Sequence, residues 1–394
     1  MATSNEVASR LMEIPDHLLA EIFLRLHAPE DLARASAACV SFRRLVTDQS
    51  FLRSFRRLHA QPLLGFLDHD GFNPVQPPHP SAPAARALAH AADFSFAFLP
   101  SHCRWAVRDI RDTRVLLVDP QHDEWAPVFR EVAVCDPLHR RYVLLPPLPQ
   151  DLAASVEHFL LPLGEEPEAA FRVICVAHFS TRVAAFVFSS NTGQWQAAAS
   201  KNYSHGIGSS EATTMHMAAS IRRLRCHYAN GCFYWDTARF GNLVEEENRL
   251  LVLDTHRMDF SMTDLPPGNW GRADLAIVGA GEGRIGIFGF DRGTPSVLSY
   301  AVVARTKGKS PSLWQIEKRI SLDPRYDYRI EDATERYLLL SRTEASSPTG
   351  YFSIDIKTLK LQRVCVKQRM RLVPKSETRI YTNFPPPLLS SRAI

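Results

Sequence analysis

Three short segments carry residue types that could do chemistry. Gly281-Glu282-Gly283-Arg284-Ile285-Gly286 has the G-x-G-x-x-G spacing that lets a backbone approach a dinucleotide pyrophosphate. That chemistry needs a helix next and an acid about 20 residues on. Here Ile287-Phe288-Gly289-Phe290 follows and reads as strand, and no acid stands between Asp291 and Glu317. The segment therefore reads as a hairpin turn after the apolar run Leu275 to Val278. Gly308-Lys309-Ser310 echoes a phosphate loop, but Val303 occupies the place of the first glycine. Cys226, His227 and Cys232 are metal-ligand types, yet their spacing and the missing fourth ligand do not match structural zinc. No G-x-S-x-G nucleophile elbow occurs, and the 15 histidines are scattered. Arg53, Arg56 and Arg57 form a small basic cluster, suited to a solvated face or an acidic protein surface. The expectation is no catalytic residue, no cofactor and no metal.

Composition narrows the class further. The 394 residues are 45% hydrophobic and 22% charged, as in ordinary globular chains, and the length suggests more than one unit. A net charge of +4 with scattered basic residues argues against a nucleic-acid surface. Seven cysteines, odd in number and mostly inside apolar runs, suit buried free thiols better than a disulfide framework. Met1 to Arg10 lacks the apolar core of a signal peptide, and no apolar run is long enough to span a membrane. Cytoplasm or nucleus is the expected location. Only eight of the 46 basic residues are lysines, the first being Lys201. Coding bias would produce that pattern, and so would selection against acceptor amines.

These residues sit on two kinds of element. Residues 11 to 60 read as short helices. Leu18, Leu19, Ile22, Phe23 and Leu26 form a broad apolar stripe, with Pro15 and Asp16 at the helix start. Pro29-Glu30-Asp31 opens a second helix with Leu32, Ala35 and Cys39 on its apolar side. Phe42, Leu45 and Val46 mark a third, and Phe51, Leu52, Phe55 and Leu58 a fourth. Such short helices are marginal alone and need a partner. Asp68 to Asp93, with five prolines, reads as a linker or surface loop with a short helix across Ala84 to Ala92.

Beyond the linker the periodicity becomes that of strands. Apolar runs recur at 94–99, 114–118, 131–135, 172–177, 183–188, 232–235, 249–253, 275–279, 285–288, 337–340 and 351–356. A strand, an Asp or Asn turn and a strand ending in Trp or Leu-Pro-Pro repeat around Asp136, Asn191, Asp254 and Asp355. A period near 50 residues of all-β units points to propeller blades. Five units are expected at 105–149, 170–199, 218–265, 273–320 and 328–366. Strands at 63–67, 94–99 and 376–384 would close a sixth. A pair of sandwiches is the rival arrangement. The insertions Asp151 to Ala169, Lys201 to Ile221 and Ala238 to Asn248 are the first candidates for target-binding loops.

The helical head resembles an F-box. Ile14-Pro15-Asp16-His17-Leu18-Leu19-Ala20-Glu21-Ile22-Phe23-Leu24-Arg25-Leu26 is similar to that family's opening helix. Pro29-Glu30-Asp31-Leu32, Cys39-Val40-Ser41-Phe42-Arg43-Arg44-Leu45-Val46 and Asp48-Gln49-Ser50-Phe51-Leu52 follow in the family's order. Phe42 stands where the family commonly has Trp, so altered packing is expected there. The body resembles plant F-box proteins with an F-box-associated, kelch-like propeller, through Pro62-Leu63-Leu64-Gly65-Phe66, Cys135-Asp136-Pro137 and Gly231-Cys232-Phe233-Tyr234-Trp235. The resemblance implies an α+β multidomain chain: an all-α F-box over 11–60, then an all-β six-bladed propeller over 61–390. It implies a non-catalytic substrate receptor of a Skp–cullin–F-box ubiquitin ligase. Pro15, Leu18, Leu19, Ile22, Phe23, Leu26, Leu32, Cys39, Phe42 and Leu45 would meet the Skp adaptor, and through it the cullin, while the propeller holds an unknown target protein. Neither nucleic acid nor membrane is expected as a partner. The alternatives are a propeller enzyme or sugar-binding module, with Trp235, Trp270 and Asp254 as candidates, or an F-box protein acting outside a ligase.

Overall fold

A computed structural model describes residues 14–26, 29–100, 105–119, 131–148, 155–162, 170–179, 181–202, 226–236, 249–265, 270–291, 293–303, 314–344, 348–368 and 378–384. Among the described residues four short helices come first: α1 (Asp16–Leu24), α2 (Pro29–Ala38), α3 (Val40–Val46) and α4 (Gln49–Leu58). The rest is a six-bladed β-propeller. Five blades are four-stranded antiparallel sheets. They are β3–β6 (Ala106–Arg111, Arg114–Val118, Val132–Asp136, Arg141–Leu144) and β7–β10 (Ser155–Leu160, Arg172–His178, Arg182–Ser189, Gln194–Asn202). Next come β11–β14 (Cys226–Ala229, Cys232–Asp236, Arg249–Asp254, Asp259–Asp264) and β15–β18 (Trp270–Gly279, Ile285–Asp291, Thr294–Val303, Trp314–Ser321). The fifth is β19–β22 (Asp327–Ala333, Tyr337–Thr343, Thr349–Asp355, Lys360–Lys367). The sixth blade is three-stranded and joins both ends of the body: β1 (Leu63–Asp68) lies between β2 (Gly71–Pro74) and β23 (Arg379–Thr382).

The core lies between blades. Successive residues of a strand point to opposite faces, and here both faces are covered. In β4, Leu116 and Val118 pack toward the second blade, while Val115 and Leu117 pack toward the closing blade. In β12, Phe233 and Trp235 meet the second blade, and Cys232 and Tyr234 meet the fourth. This double burial explains why the second and third strands read as continuous apolar runs rather than alternating ones.

The repeated Asp has a structural cause. Asp136, Asp254 and Asp355 each end the third strand of a blade. Their Oδ1 atoms accept backbone N–H groups two and three residues on, at 2.9–3.2 Å. A left-handed residue, Arg140, Met258 or Leu359, then completes each turn. The second blade does the same with Ser189 and Gly193, at φ +67°. These are Asx turns that set hairpin register, not acids held for catalysis.

Three sequence expectations change and one holds. Residues 94–99 form turns rather than a closing strand, and β2 takes that place. The proline-rich stretch 68–93 is no free linker, because it holds β2 and helix α5 (Ala82–Ala91). The buried Ala82, Ala84, Ala85 and Leu88 of α5 join the core of the closing blade. The supposed insertion 151–169 contains β7, the innermost strand of the second blade. The Gly281–Gly286 segment is the β15–β16 hairpin turn, as its sequence context indicated.

Candidate functional site

The head builds one face from alternating choices along α1. Pro15 opens the helix, its carbonyl accepting the N–H groups of Leu18 and Leu19 at 3.0 and 3.1 Å. Positions four apart then share a face. Leu19 and Phe23, at 4% and 7% exposure, turn inward, whereas Leu18 and Ile22 remain 43% and 47% exposed. Phe23 meets Phe42 of α3 edge-on at 5.1 Å and 84°, so the aromatic in place of the family's Trp still anchors α1 to α3. The Cys39 thiol caps α3 by accepting the Phe42 N–H at 3.4 Å. Asp48 caps α4 by accepting the N–H groups of Ser50 and Phe51 at 2.9 and 3.0 Å. Hydrogen bonding to the Ser50 side chain, then to the backbone, holds the Asp48 carboxyl below its ordinary value.

The ten residues expected at the adaptor interface therefore separate. Leu18 and Ile22 present apolar surface, with Pro15 exposed beside them in sequence. Leu26, Cys39, Phe42 and Leu45 are half-buried. Leu19, Phe23 and Leu32 lie in the head's own core, where they shape the face without being available to touch a partner. Val40, 82% exposed at the first turn of α3, was not on the expected list. An apolar residue directly after the Cys39 N-cap is its only sequence signal. On the polar side of the head, Arg44 reaches Asp16 at 3.5 Å.

A second feature lies where the head meets the body. A cavity of about 340 Å³ opens at the end of the central channel, lined by Arg56 and His59 from the head and by Asp109, Arg111, Glu335 and Arg379 from the blades. The Arg111 guanidinium lies over the Tyr228 ring at 4.2 Å. Deeper, the innermost strands are tied by charge. The Arg108 guanidinium donates to Glu157 Oε1 at 2.6 Å, and Trp235 Nε1–H donates to Glu157 Oε2 at 2.9 Å, linking three blades. Arg379 donates to the Arg108 carbonyl at 2.8 Å and lies 3.6 Å from Asp332. Burial pushes the Asp332 carboxyl above its ordinary value, although Arg379 pulls the other way. Positive and negative groups both line this cavity, and the Arg379–Asp332 pair at its wall joins the closing strand to the fifth blade.

The groups considered for chemistry resolve as follows. Burial pushes the thiols of Cys135, Cys175 and Cys226 well up and that of Cys365 up to about 12, so they stay protonated and pack as apolar groups. Cys226, His227 and Cys232 occupy adjacent strands of one hairpin. Trp235 is buried on Glu157 and Asp254 caps its turn, so these two candidates for a catalytic or sugar-binding face do not converge. The Trp270 side chain, Gly308-Lys309-Ser310 and the segments 203–221 and 238–248 fall outside the described residues. One acid–histidine cluster occurs among the described residues, Asp68, His69 and Asp70. The Lys367 ammonium already sits there, 2.6 Å from Asp68 and 2.5 Å from Asp70, fastening the fifth blade to the closing one.

A search of curated proteins finds no match. Among solved structures the body is similar to several proteins at low identity. One is a prolyl endopeptidase (11% identity, TM-score 0.35, covering 68% of this chain and 36% of that one). Another is SapL1 lectin in complex with alpha methyl fucoside (11% identity, TM-score 0.37, covering 67% and 79%). A third is a mutant Aleuria aurantia lectin with alpha-methyl-L-fucoside (12% identity, TM-score 0.34, covering 65% and 73%). The chain spans about a third of the length of the endopeptidase, and these likenesses carry no functional argument. The family comparison is more specific: residues 11–57 match the F-box-like family, so the chain is a short helical F-box head followed by a six-bladed β-propeller.

Proposed function

We propose that this chain is the substrate receptor of a Skp–cullin–F-box ubiquitin ligase. The observation that carries the reading is a coincidence of match and geometry. The F-box-like segment 11–57 leaves Leu18 and Ile22 exposed on the helix that opens it. The two side chains lie one helical turn apart and together offer a partner an apolar patch. Burying each against an adaptor contributes roughly 1.5–3 kcal/mol before the costs of association. The half-buried Leu26, Cys39, Phe42 and Leu45 border the face, and Leu19, Phe23 and Leu32 hold its shape.

The receptor performs no chemical step. The head docks on a Skp-family adaptor joined to a cullin, and the propeller holds the target. Ubiquitin transfer is accelerated because target lysines are kept near the charged conjugating enzyme at high effective concentration. This work belongs in cytoplasm or nucleus, and the motifs of the sequence resemble those of plant receptors with F-box-associated propellers. Co-purification tests it. Tagged full-length chain with the proteasome blocked should bring down a Skp-family adaptor and a cullin, and the double variant Leu18→Asp, Ile22→Asp should bring down neither. Equal recovery of both partners by that variant would falsify the assignment of the face.

A further inference from the structure

The C-terminal end of the body does two things within a few residues. β23 closes the propeller, pairing Ile380 with Phe66 and Thr382 with Leu63. Phe384 then leaves the sheet and is buried in the head, among Phe23, Leu32, Val46, Phe51, Leu52 and Phe55. It meets Phe55 edge-on at 5.9 Å and 63°.

The step between strand and head is fixed on every side. Thr382 Oγ1 donates to Gln61 Oε1 at 3.1 Å, and the Asn383 N–H donates to the Pro62 carbonyl at 3.2 Å. The buried Asn383 side chain accepts the Phe384 N–H at 2.8 Å. Beyond Phe384 the contacts continue toward α1. Phe55 stacks on His59 at 4.1 Å, and His59 Nε2 lies 2.7 Å from the carbonyl oxygen of Leu24, the last residue of α1. A continuous set of packed groups thus runs from the closing strand to the helix that exposes Leu18 and Ile22.

Four short helices cannot enclose a stable core alone. Here a residue from the far end of the chain supplies part of that core, and it can reach the head only when β23 is seated. We infer that Phe384 is a positioning residue for the adaptor-docking face, so that the head binds its adaptor strongly only when the propeller is closed. The inference rests on the receptor function proposed above. Its consequence is a form of quality control: a chain whose propeller has not closed, and which cannot hold a target, leaves its F-box incomplete and stays off the ligase.

The test uses the full chain as wild type, Phe384→Ala and Phe384→Leu. All six tryptophans lie outside residues 11–60, so tryptophan fluorescence reports unfolding of the body alone. Amide hydrogen exchange over residues 16–58 reports the head, and titration with a purified Skp-family adaptor reports docking. Phe384→Ala should speed exchange over 16–58 by about tenfold or more and weaken adaptor binding by a similar factor, with the fluorescence midpoint unchanged. Phe384→Leu, which keeps most of the apolar volume, should recover most of both losses. Unchanged exchange in Phe384→Ala overturns the inference. So does a fluorescence midpoint that falls together with the head in both variants, since Phe384 would then merely pin β23. Wild-type chain that binds no adaptor, with the exchange pattern as expected, overturns the docking function while supporting the coupling of head to closure.

Discussion

The body meets each apolar sheet face with the next blade, from Leu116 against Phe171 and Val173 in the first pair to Ile330 and Leu338 against Phe288 in the fourth and fifth. The head has no such repetition: its four helices gather a small aromatic core, accept Phe384 from the body, and still leave Leu18, Ile22 and Val40 in water. The body also leaves Tyr142, Leu144, Ile316, Leu361 and Val366 partly in water, but these are spread over the outermost strands of three blades, whereas Leu18 and Ile22 lie one turn apart on one helix. The difference bears on where the proposed function resides. Paired apolar exposure on α1 coincides with the segment matching the F-box-like family, which is why the proposed docking face is placed there.

Breaking the body from within should have the largest effect. Glu157→Ala leaves the Arg108 guanidinium buried without its carboxylate and removes the acceptor of Trp235. A loss of about 3–5 kcal/mol is expected, read as a lower urea midpoint of tryptophan fluorescence. A midpoint within error of wild type would show that the channel network is not what ties the blades together.

Acid should separate the two regions next. Burial lowers the His178 imidazole from 6.5 to about 4. Glu157 Oε2 stands 4.0 Å away, already bonded to Trp235. The unfolded chain takes up this proton below pH 6.5, and the folded body does so only near pH 4. His178 therefore contributes full stability above pH 6.5, and that contribution is lost as pH falls toward 4, with no further loss below. The total is on the order of 3 kcal/mol. His178→Gln should flatten this part of the body's stability profile while the head's exchange rates keep their own dependence on pH. An unaltered slope in the variant would remove His178 from the account.

Smaller changes refine the head. Asp48→Ala removes the cap of α4 and should cost about 1 kcal/mol, seen as faster amide exchange across 49–58 without a shift in the body's fluorescence midpoint. Ile22→Ala should alter stability by no more than about 0.5 kcal/mol, because the side chain is half in water. Its effect should fall on adaptor affinity, and a clear drop in head stability instead would mean that Ile22 belongs to the core.

The same contrast explains what was readable in the sequence. The second and third strands of each blade are buried on both faces, so runs such as Val115-Leu116-Leu117 and Val173-Ile174-Cys175-Val176 declare themselves. The innermost strands line a polar channel. Glu157 and His158 in β7, or Arg329, Glu331 and Asp332 in β19, break any apolar pattern, which is why the sequence around β7 reads as an insertion. The outermost strands, such as β18 with its exposed Gln315 to Arg319, are hidden in the same way by solvent. In the head, the motif spacing located α1, but the stripe alone does not say which of Leu18, Leu19, Ile22 and Phe23 face outward. That depends on where α3 and α4 pack. Phe384 could not be found at all, because its partner segment lies at the other end of the chain and meets it only through closure of the ring.

The central claim is that the open face of α1 is the docking surface, and calorimetric titration of the full chain with one purified Skp-family adaptor tests it most directly. Saturable binding at about 1 μM or tighter, with a negative heat-capacity change from apolar burial, is the expected result. Leu18→Asp with Ile22→Asp should abolish the heat of binding and leave the tryptophan emission of the propeller unchanged. Wild-type affinity in that double variant would contradict the account.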